Sequence, residues 1–372
     1  MSDIETALPI TTGMTGNTNV ATLDSAAFEL LENLYPYRGT LKAEPFFFPY
    51  LYKEGTGRSD NYIFINNYST KTNLFAVKID KALYVPNYTG EATVPLVKLG
   101  DLYDDVDSTT LYTDFDDTAI LQYSPWAWTT SSSAFFTKPG LPLSRIVEDN
   151  TKPYGYKIEV VPATFVGNVS QKPVYISAKY IIATKDRLFL ANCWEDGQYL
   201  PTRIHWSDLN KPLNFATSNT SEADVFDLGV NSEDITGLAY TNGVVITLTK
   251  NSIWRSDYQG FETKFKTSLL TSNTGCLFHY SAITINEVVY FIGKDNFYAL
   301  NRLTLVPIGT DIWDWWKANV NFTGLQNVIA QYELEQNSIT WVFPRKVADD
   351  SKLWGLKYNI DEAKWSTRDL QI

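Results

Sequence analysis

Groups of four short β-type runs recur along most of this chain. The clearest covers residues 235–270, where ITGLAY, GVVITL, SIWRSD and FETKFKTSL are parted by turns at Thr241-Asn242-Gly243, Lys250-Asn251 and Gln259-Gly260. Asn242-Gly243 is a strong tight-hairpin signal, because both residues tolerate positive φ. The layout returns in FHYSAITI, EVVYFIG, NFYALN and LTLVPI, with turns at Asn286-Glu287, Lys294-Asp295 and Asn301-Arg302. It returns again in VIAQYEL, SITWVFP, KLWGLKYN and KWSTRDL. Upstream, AKYIIAT, RLFLANCW, TRIHWSD and LNFATS form one more group, and FFFPYLY, YIFINN, NLFAVKI and ALYVPN another. A weaker group falls between Leu111 and Val147.

A four-stranded antiparallel sheet cannot bury both of its faces alone. Packing such sheets face to face around an axis buries them and leaves only short edges. Meandering four-strand units repeated every ~35–50 residues therefore predict an all-β chain, a β-propeller of five or six four-stranded blades. The rival architecture is a pair of β-sandwiches, which the regular spacing disfavours. On this reading residues 1–44 are an N-terminal arm with a short helix. Residues 45–372 are the propeller, with an irregular insertion at about 90–175.

Two segments break the β pattern. SAAFELLENLY (residues 25–35) reads as a helix capped by Asp24 or Ser25, with Phe28, Leu31 and Tyr35 on one face and Pro36 as its stop. Residues 1–24, rich in Thr, Gly, Asn and Ser, are too poor in apolar side chains to fold alone and are expected to dock on a neighbour. DIWDWWK (residues 311–317) reads as a second short helix capped by Thr310 or Asp311. Its Trp residues either pack onto a blade or form a carbohydrate-stacking platform.

Composition matters mainly for what it excludes. Two Cys in 372 residues cannot staple the chain, and Cys193 and Cys276 read as small buried hydrophobes. Two His and two Cys cannot build a multi-ligand zinc site without carboxylates, so no cofactor or metal is expected. His205 and His279 sit in strand-like runs and outside any nucleophile-elbow pattern. No phosphate-binding Gly-rich loop or dinucleotide fingerprint occurs. The N-terminus Met1-Ser2-Asp3-Ile4-Glu5 lacks the basic and apolar regions of a secretory signal. A net charge of −11 argues against an electrostatic nucleic-acid binder.

The densest charge lies in DLYDDVDSTTLYTDFDD, where Asp101, Asp104, Asp105, Asp107, Asp114, Asp116 and Asp117 fall within residues 101–117. This is either a solvated loop or a set of ligands for a hard cation. It lacks the Asp-x-Asp-x-Asp-Gly series and closing Glu of an EF-hand.

One stretch carries a family likeness. DRLFLANCW, RIHWSDLNKPLNF, DITGLAYTNGVVITLTKNSIWRSDY and TGCLFHYSAITINEVVYFIGKDNFYAL follow one another between Asp186 and Leu300. Their order resembles the tail hub and tail nozzle proteins of short-tailed bacteriophages, which are head-to-tail β-propellers. The matching positions include Arg203, Trp206, Ser207, Pro212 and Phe215, then Gly237, Leu238, Ser252 and Trp254. They continue with Gly275, Tyr290, Phe291, Gly293, Phe297 and Tyr298. Pro307-Ile308-Gly309-Thr310 before a short helix, and Glu32-Asn33-Leu34-Tyr35-Pro36 leading to Gly39-Thr40-Leu41, are similar to segments of that family. The family continues with Arg-Pro-Gly where this chain has Ala43-Glu44-Pro45.

The resemblance implies a structural virion protein located in the tail, and in the host cytoplasm during assembly. It implies a homo-oligomeric ring, a hexamer, below the portal and adaptor and in contact with other tail proteins. The ring continues the DNA channel and helps retain and then release the genome. No catalytic residue carries over. A tube that conducts DNA should repel phosphates, so the seven Asp named above are candidates for the channel lumen or a subunit contact. Trp126, Trp128, Phe135 and Phe136, in a polar and strand-poor segment, are candidates either for the subunit interface or for filling a blade of their own chain. The alternative function is a glycan-binding or glycan-cleaving propeller used in host attachment.

Overall fold

The computed structural model describes residues 34–37, 40–43, 59–67, 72–79, 82–86, 96–102, 122–128, 131–149, 151–152, 155–161, 175–195, 198–229, 233–322, 328–344, 346 and 353–370. These form an all-β protein of the β-propeller class. The described residues build six four-stranded antiparallel sheets, each a meander of strands consecutive in sequence, and one two-stranded hairpin. Among the described residues no helix is long and apolar enough to cross a membrane.

The hairpin pairs β1 (Leu34–Tyr37) with β2 (Thr40–Ala43). Leu34 and Tyr35 are therefore extended, where the sequence pattern places the end of a helix. The cause is local: Pro36 disfavours helix for the residue before it, and Leu34–Tyr37 pairs antiparallel with Thr40–Ala43. The rest of that predicted helix, and the arm of residues 1–24, lie outside the described residues.

The described residues cluster into two compact units, one drawn from Phe48–Leu238 with Tyr258–Lys266, the other from Met1–Phe47, Ala239–Asp257 and Thr267–Ile372. The first unit holds three sheets. One is β3 (Ser59–Asn67), β4 (Thr72–Ile79), β5 (Ala82–Pro86) and β6 (Leu96–Asp101). The next is β7 (Gln122–Trp128), β8 (Ser131–Lys138), β9 (Leu141–Glu148) and β10 (Tyr156–Val160). The third is β11 (Ile176–Ala183), β12 (Leu188–Glu195), β13 (Gln198–Trp206) and β14 (Asp224–Asp227).

Three expectations change here. Residues 90–175 are not simply irregular, since they supply β6 and a complete four-stranded sheet. The sheet expected at FFFPYLY to ALYVPN begins instead at Ser59 and takes β6 as its fourth strand, while residues 46–52 lie outside the described ones. LNFATS is not a strand; it belongs to a loop held by Asp208. The Asp208 carboxylate accepts hydrogen bonds from the backbone N–H of Leu209 and Glu222, both at 2.9 Å, and from Lys211 Nζ at 2.8 Å. That loop delays the fourth strand to Asp224.

β15 (Ile235–Thr241), β16 (Val244–Thr249), β17 (Ile253–Gly260) and β18 (Lys264–Thr271) form the fourth sheet, where the sequence pattern puts it. The second unit holds β19 (Ile283–Ile285), β20 (Val288–Ile292), β21 (Phe297–Asn301) and β22 (Thr304–Pro307). After α1 (Trp313–Asn319) come β23 (Ile329–Glu333), β24 (Ser338–Pro344), β25 (Leu353–Asn359) and β26 (Lys364–Leu370). The residue before α1 is Ile312, and no side chain caps it, so neither Thr310 nor Asp311 plays the expected part.

The core of the second unit is aromatic. Phe297 is fully buried, and its ring centre lies 4.8 Å from that of Trp365, 5.1 Å from Trp341 and 5.3 Å from Trp316. Trp316 packs edge-on against Phe343 at 4.4 Å, and Trp315 stacks on the buried Trp354 at 5.7 Å. Two indoles also find acceptors: Trp341 donates to the Ser281 carbonyl at 2.9 Å and Trp365 to that of Ile308 at 3.0 Å. The helix tryptophans thus serve as sheet-to-sheet filling, the first of the two roles the sequence leaves open for them.

Candidate functional site

Phe135 and Phe136 are neighbours on β8, so their side chains leave opposite faces of the sheet. Phe136 enters a core with Leu83, Val85 and Ile146; Phe135 enters another with Leu143, Ile176 and Leu190. Both are 0% exposed. They fill the two sides of their own sheet and are not available to a partner, which corrects the interface reading for this pair. Trp126 and Trp128 lie on β7, an edge strand, in register with Ser133 and Ser131. Asp101 ends β6 opposite Ala82. Asp104, Asp105, Asp107, Asp114, Asp116 and Asp117 lie outside the described residues.

The structure assembles two polar constellations that sequence spacing did not join. The first crosses three strands. Arg203 on β13 donates from Nε and Nη2 to the two Asp227 oxygens of β14 at 2.8 and 2.7 Å, and from Nη1 to Glu195 of β12 at 3.1 Å. The other Glu195 oxygen accepts a hydrogen bond from His205 Nε2. His205 is buried on β13, in the strand-like run that the sequence shows. The sequence pattern does not show this motif, because it places no strand at Asp224–Asp227.

The electrostatics follow from these contacts. Burial would raise the Glu195 carboxyl, but His205 and Arg203 outweigh it and hold the group below its ordinary value of 4.5. The Arg203 hydrogen bonds hold Asp227 below 3.8. Burial pushes the Cys193 thiol well up, so this sulfur is held as a thiol and not as a nucleophilic thiolate. Tyr199, stacked on Trp194 with ring centres 4.5 Å apart, is pushed up to about 12 by burial and the nearby Asp234. The cluster clamps β12, β13 and β14 together. Among the described residues no group of three or more His, Cys, Asp and Glu converges as a metal site.

A pH dependence follows. Both carboxylates are depressed in the folded state, so the unfolded chain binds more protons and stability rises with pH. The contribution is present above the ordinary values of 4.5 and 3.8 and is lost as pH falls through the lower folded values. The thermal midpoint is expected to drop steadily below about pH 4.5, and Glu195→Gln is expected to flatten that slope. A scan of melting temperature against pH for both proteins checks this; parallel slopes would remove the cluster's role.

The second constellation is a buried cation in the same unit. Arg187, 2% exposed, pairs through Nη2 with Glu222 and through Nη1 with Asp186 at 2.9 Å. Its guanidinium carbon lies 4.7 Å from the Tyr258 ring centre and 5.4 Å from that of Phe265. The Tyr258 hydroxyl donates to Glu222 at 2.8 Å, and Lys264 Nζ donates to Asp224 at 2.9 Å. The tip of the β17–β18 hairpin is thereby fixed to β12 and β14.

The positions that carry the family likeness prove to be framing positions. Trp206 donates its indole N–H to the Glu222 carbonyl at 2.9 Å, and Ser207 Oγ accepts the Leu188 N–H at 3.0 Å. Phe215 is buried in the same core as Phe135. A methyl group on Gly275 would meet the Thr249 carbonyl oxygen at 2.1 Å; on Gly293 it would meet the Tyr298 ring at 2.7 Å. Close backbone and ring approaches fix both glycines.

No protein-family model and no curated protein sequence matches the chain. Solved structures with a similar course of chain include a fungal alcohol oxidase of the AA5 family in complex with copper (TM-score 0.41, 10% identity, 86% of this chain and 68% of that one). Another is dipeptidyl peptidase 4 of Porphyromonas gingivalis (TM-score 0.39, 10% identity, 86% of this chain and 46% of that one). A third is a quinoprotein alcohol dehydrogenase-like protein of Bacteroides thetaiotaomicron (TM-score 0.31, 11% identity, 85% and 89%).

Proposed function

We propose that this chain is a structural protein of a bacteriophage tail. It forms a homo-oligomeric ring, a hexamer, below the portal and adaptor. The ring continues the DNA channel, helps retain the packaged genome and then lets it pass. What carries the reading is the ordered set of family-like positions from Arg203 to Tyr298. They fall in consecutive sheets and act there as frame: a strand clamp at Arg203, an indole anchor at Trp206, and close-approach glycines at Gly275 and Gly293. Such a frame suits a part whose task is shape, and the ring needs no catalytic centre.

The charge of −11 fits a conduit. Phosphates that are not held can slide, and a negative lumen favours that. In this proposal part of the acidic run from Asp101 to Asp117 faces the lumen or a subunit contact, and Trp126 and Trp128 contribute to the subunit interface. Cryo-electron microscopy of the intact particle tests it. A six-fold ring coaxial with the portal is the expected result; a peripheral, fibre-like position sinks the proposal.

A further inference from the structure

Three tight turns of the second unit border one groove of about 640 Å³. They are Asn242-Gly243 between β15 and β16, Asn286-Glu287 between β19 and β20, and Arg302-Leu303 between β21 and β22. All six residues have positive φ, from 46° to 79°. The volume is in the range of small-molecule sites.

The walls are tied together before any ligand arrives. The Glu287 carboxylate accepts the Asn242 backbone N–H, and the Glu287 carbonyl accepts the Thr241 hydroxyl. The Asn242 side-chain amide also reaches that carbonyl at 3.4 Å. Other lining groups are uncommitted. Among the described residues the side chains of Asn286, Asn301, Arg302 and Thr304 make no hydrogen bond or ion pair. All four are exposed. Val288 and Val306 supply short apolar strips between them.

The geometry points to a binding site for a carboxylated sugar, a uronic or sialic acid at the end of a short glycan. Each part of the ligand has a matching group, and the Glu287 carboxylate, the acid of the lining, is already engaged by the Asn242 N–H. Arg302 presents a planar guanidinium, which suits a carboxylate held through two hydrogen bonds. The amides of Asn286 and Asn301 and the Thr304 hydroxyl both donate and accept, as ring hydroxyls do. Val288 and Val306 suit the C–H face of a pyranose. The groove lacks the broad apolar floor that a hydrophobic peptide side chain would need. This site goes beyond the tail-ring proposal and does not depend on it.

The test uses the full chain, titrated with D-glucuronic acid and N-acetylneuraminic acid by calorimetry and saturation-transfer NMR. D-glucose and acetate serve as comparison ligands. At least one acid sugar is expected to bind with a dissociation constant of about 1 mM, and each comparison ligand about tenfold more weakly. Arg302→Asn, which keeps a residue tolerant of positive φ in the turn, is expected to weaken the acid sugar about tenfold without changing the melting temperature. Asn301→Asp is expected to weaken it as well, by placing a like charge beside the carboxylate. Binding of neither acid, equal binding of acetate or glucose, or acid binding that survives Arg302→Asn overturns the assignment.

Discussion

Replacing Phe297 by Ala is expected to destabilise the second unit by about 3–5 kcal/mol, the range for deleting a buried ring. Phe297 is fully buried at the end of β21 and touches Trp313, Trp316, Trp341 and Trp365, with ring centres 4.8–5.9 Å apart. These partners come from α1, β24 and β26, so one deletion loosens three elements. Two of the indoles are pinned by hydrogen bonds to Ser281 and Ile308 and cannot swing in to fill the space. The cavity should therefore persist and add its own cost. Chemical denaturation of wild type and variant, compared at the transition midpoint, measures the loss. A change below about 1 kcal/mol would mean that the indoles collapse inward after all. Phe297→Leu, which keeps much of the volume, should cost distinctly less.

The second large effect concerns charge. Arg187→Met removes a cation that is almost wholly buried and leaves Glu222 facing Tyr258 without its partner. Breaking a buried pair from one side costs about 3–5 kcal/mol, chiefly because a charge stays behind without compensation. The double variant Arg187→Met, Glu222→Met should recover a large part of that loss, since neither charge remains to be desolvated. Denaturation of the two single variants and the double variant closes the cycle. Purely additive losses would show that the pair is not coupled. The Tyr258 and Phe265 rings over the guanidinium also predict a second readout. Loss of Arg187 should free the hairpin tip at residues 258–266 and raise hydrogen exchange there first.

The sequence exposes the sheets because their strands are short, alternating and separated by chemically distinct turns. From Ile235 onward the four-strand groups match the observed sheets with small shifts. The β21–β22 turn falls at Arg302-Leu303, one residue beyond the expected Asn301-Arg302. Upstream the framing slips for physical reasons. Asp208 captures two backbone N–H groups and turns LNFATS into a loop, a tertiary arrangement that strand propensity does not register. In residues 90–175 the strands of the second sheet carry Ser, Thr and Pro between their aromatics, so the alternation is blurred.

The site residues were less legible than the fold. Polar surroundings suggested that Phe135 and Phe136 could face a partner, yet a strand buried on both sides hides adjacent residues alike. The Glu195–Arg203–Asp227 clamp depends on a pairing 24 residues apart, between Arg203 and Asp227. The groove residues were visible only as turn formers. Their convergence is a property of two neighbouring sheets, which no local pattern encodes.

The meander order of the sheets also bears on how the protein is made. Each described four-stranded sheet pairs strands that are consecutive in sequence. The Arg203–Asp227 pairing is among the widest of them. Loops of that length close at small entropic cost, and short-range pairing favours fast folding. Sheets can therefore set their register one after another as the chain leaves the ribosome, without waiting for distant sequence. The hairpin tip at Tyr258–Lys266 instead packs with strands made well before it. Its aromatic and ionic contacts to Arg187 and Asp224 make a late step that draws on finished sheets, and slowed refolding of the Arg187 variant would mark that step in time.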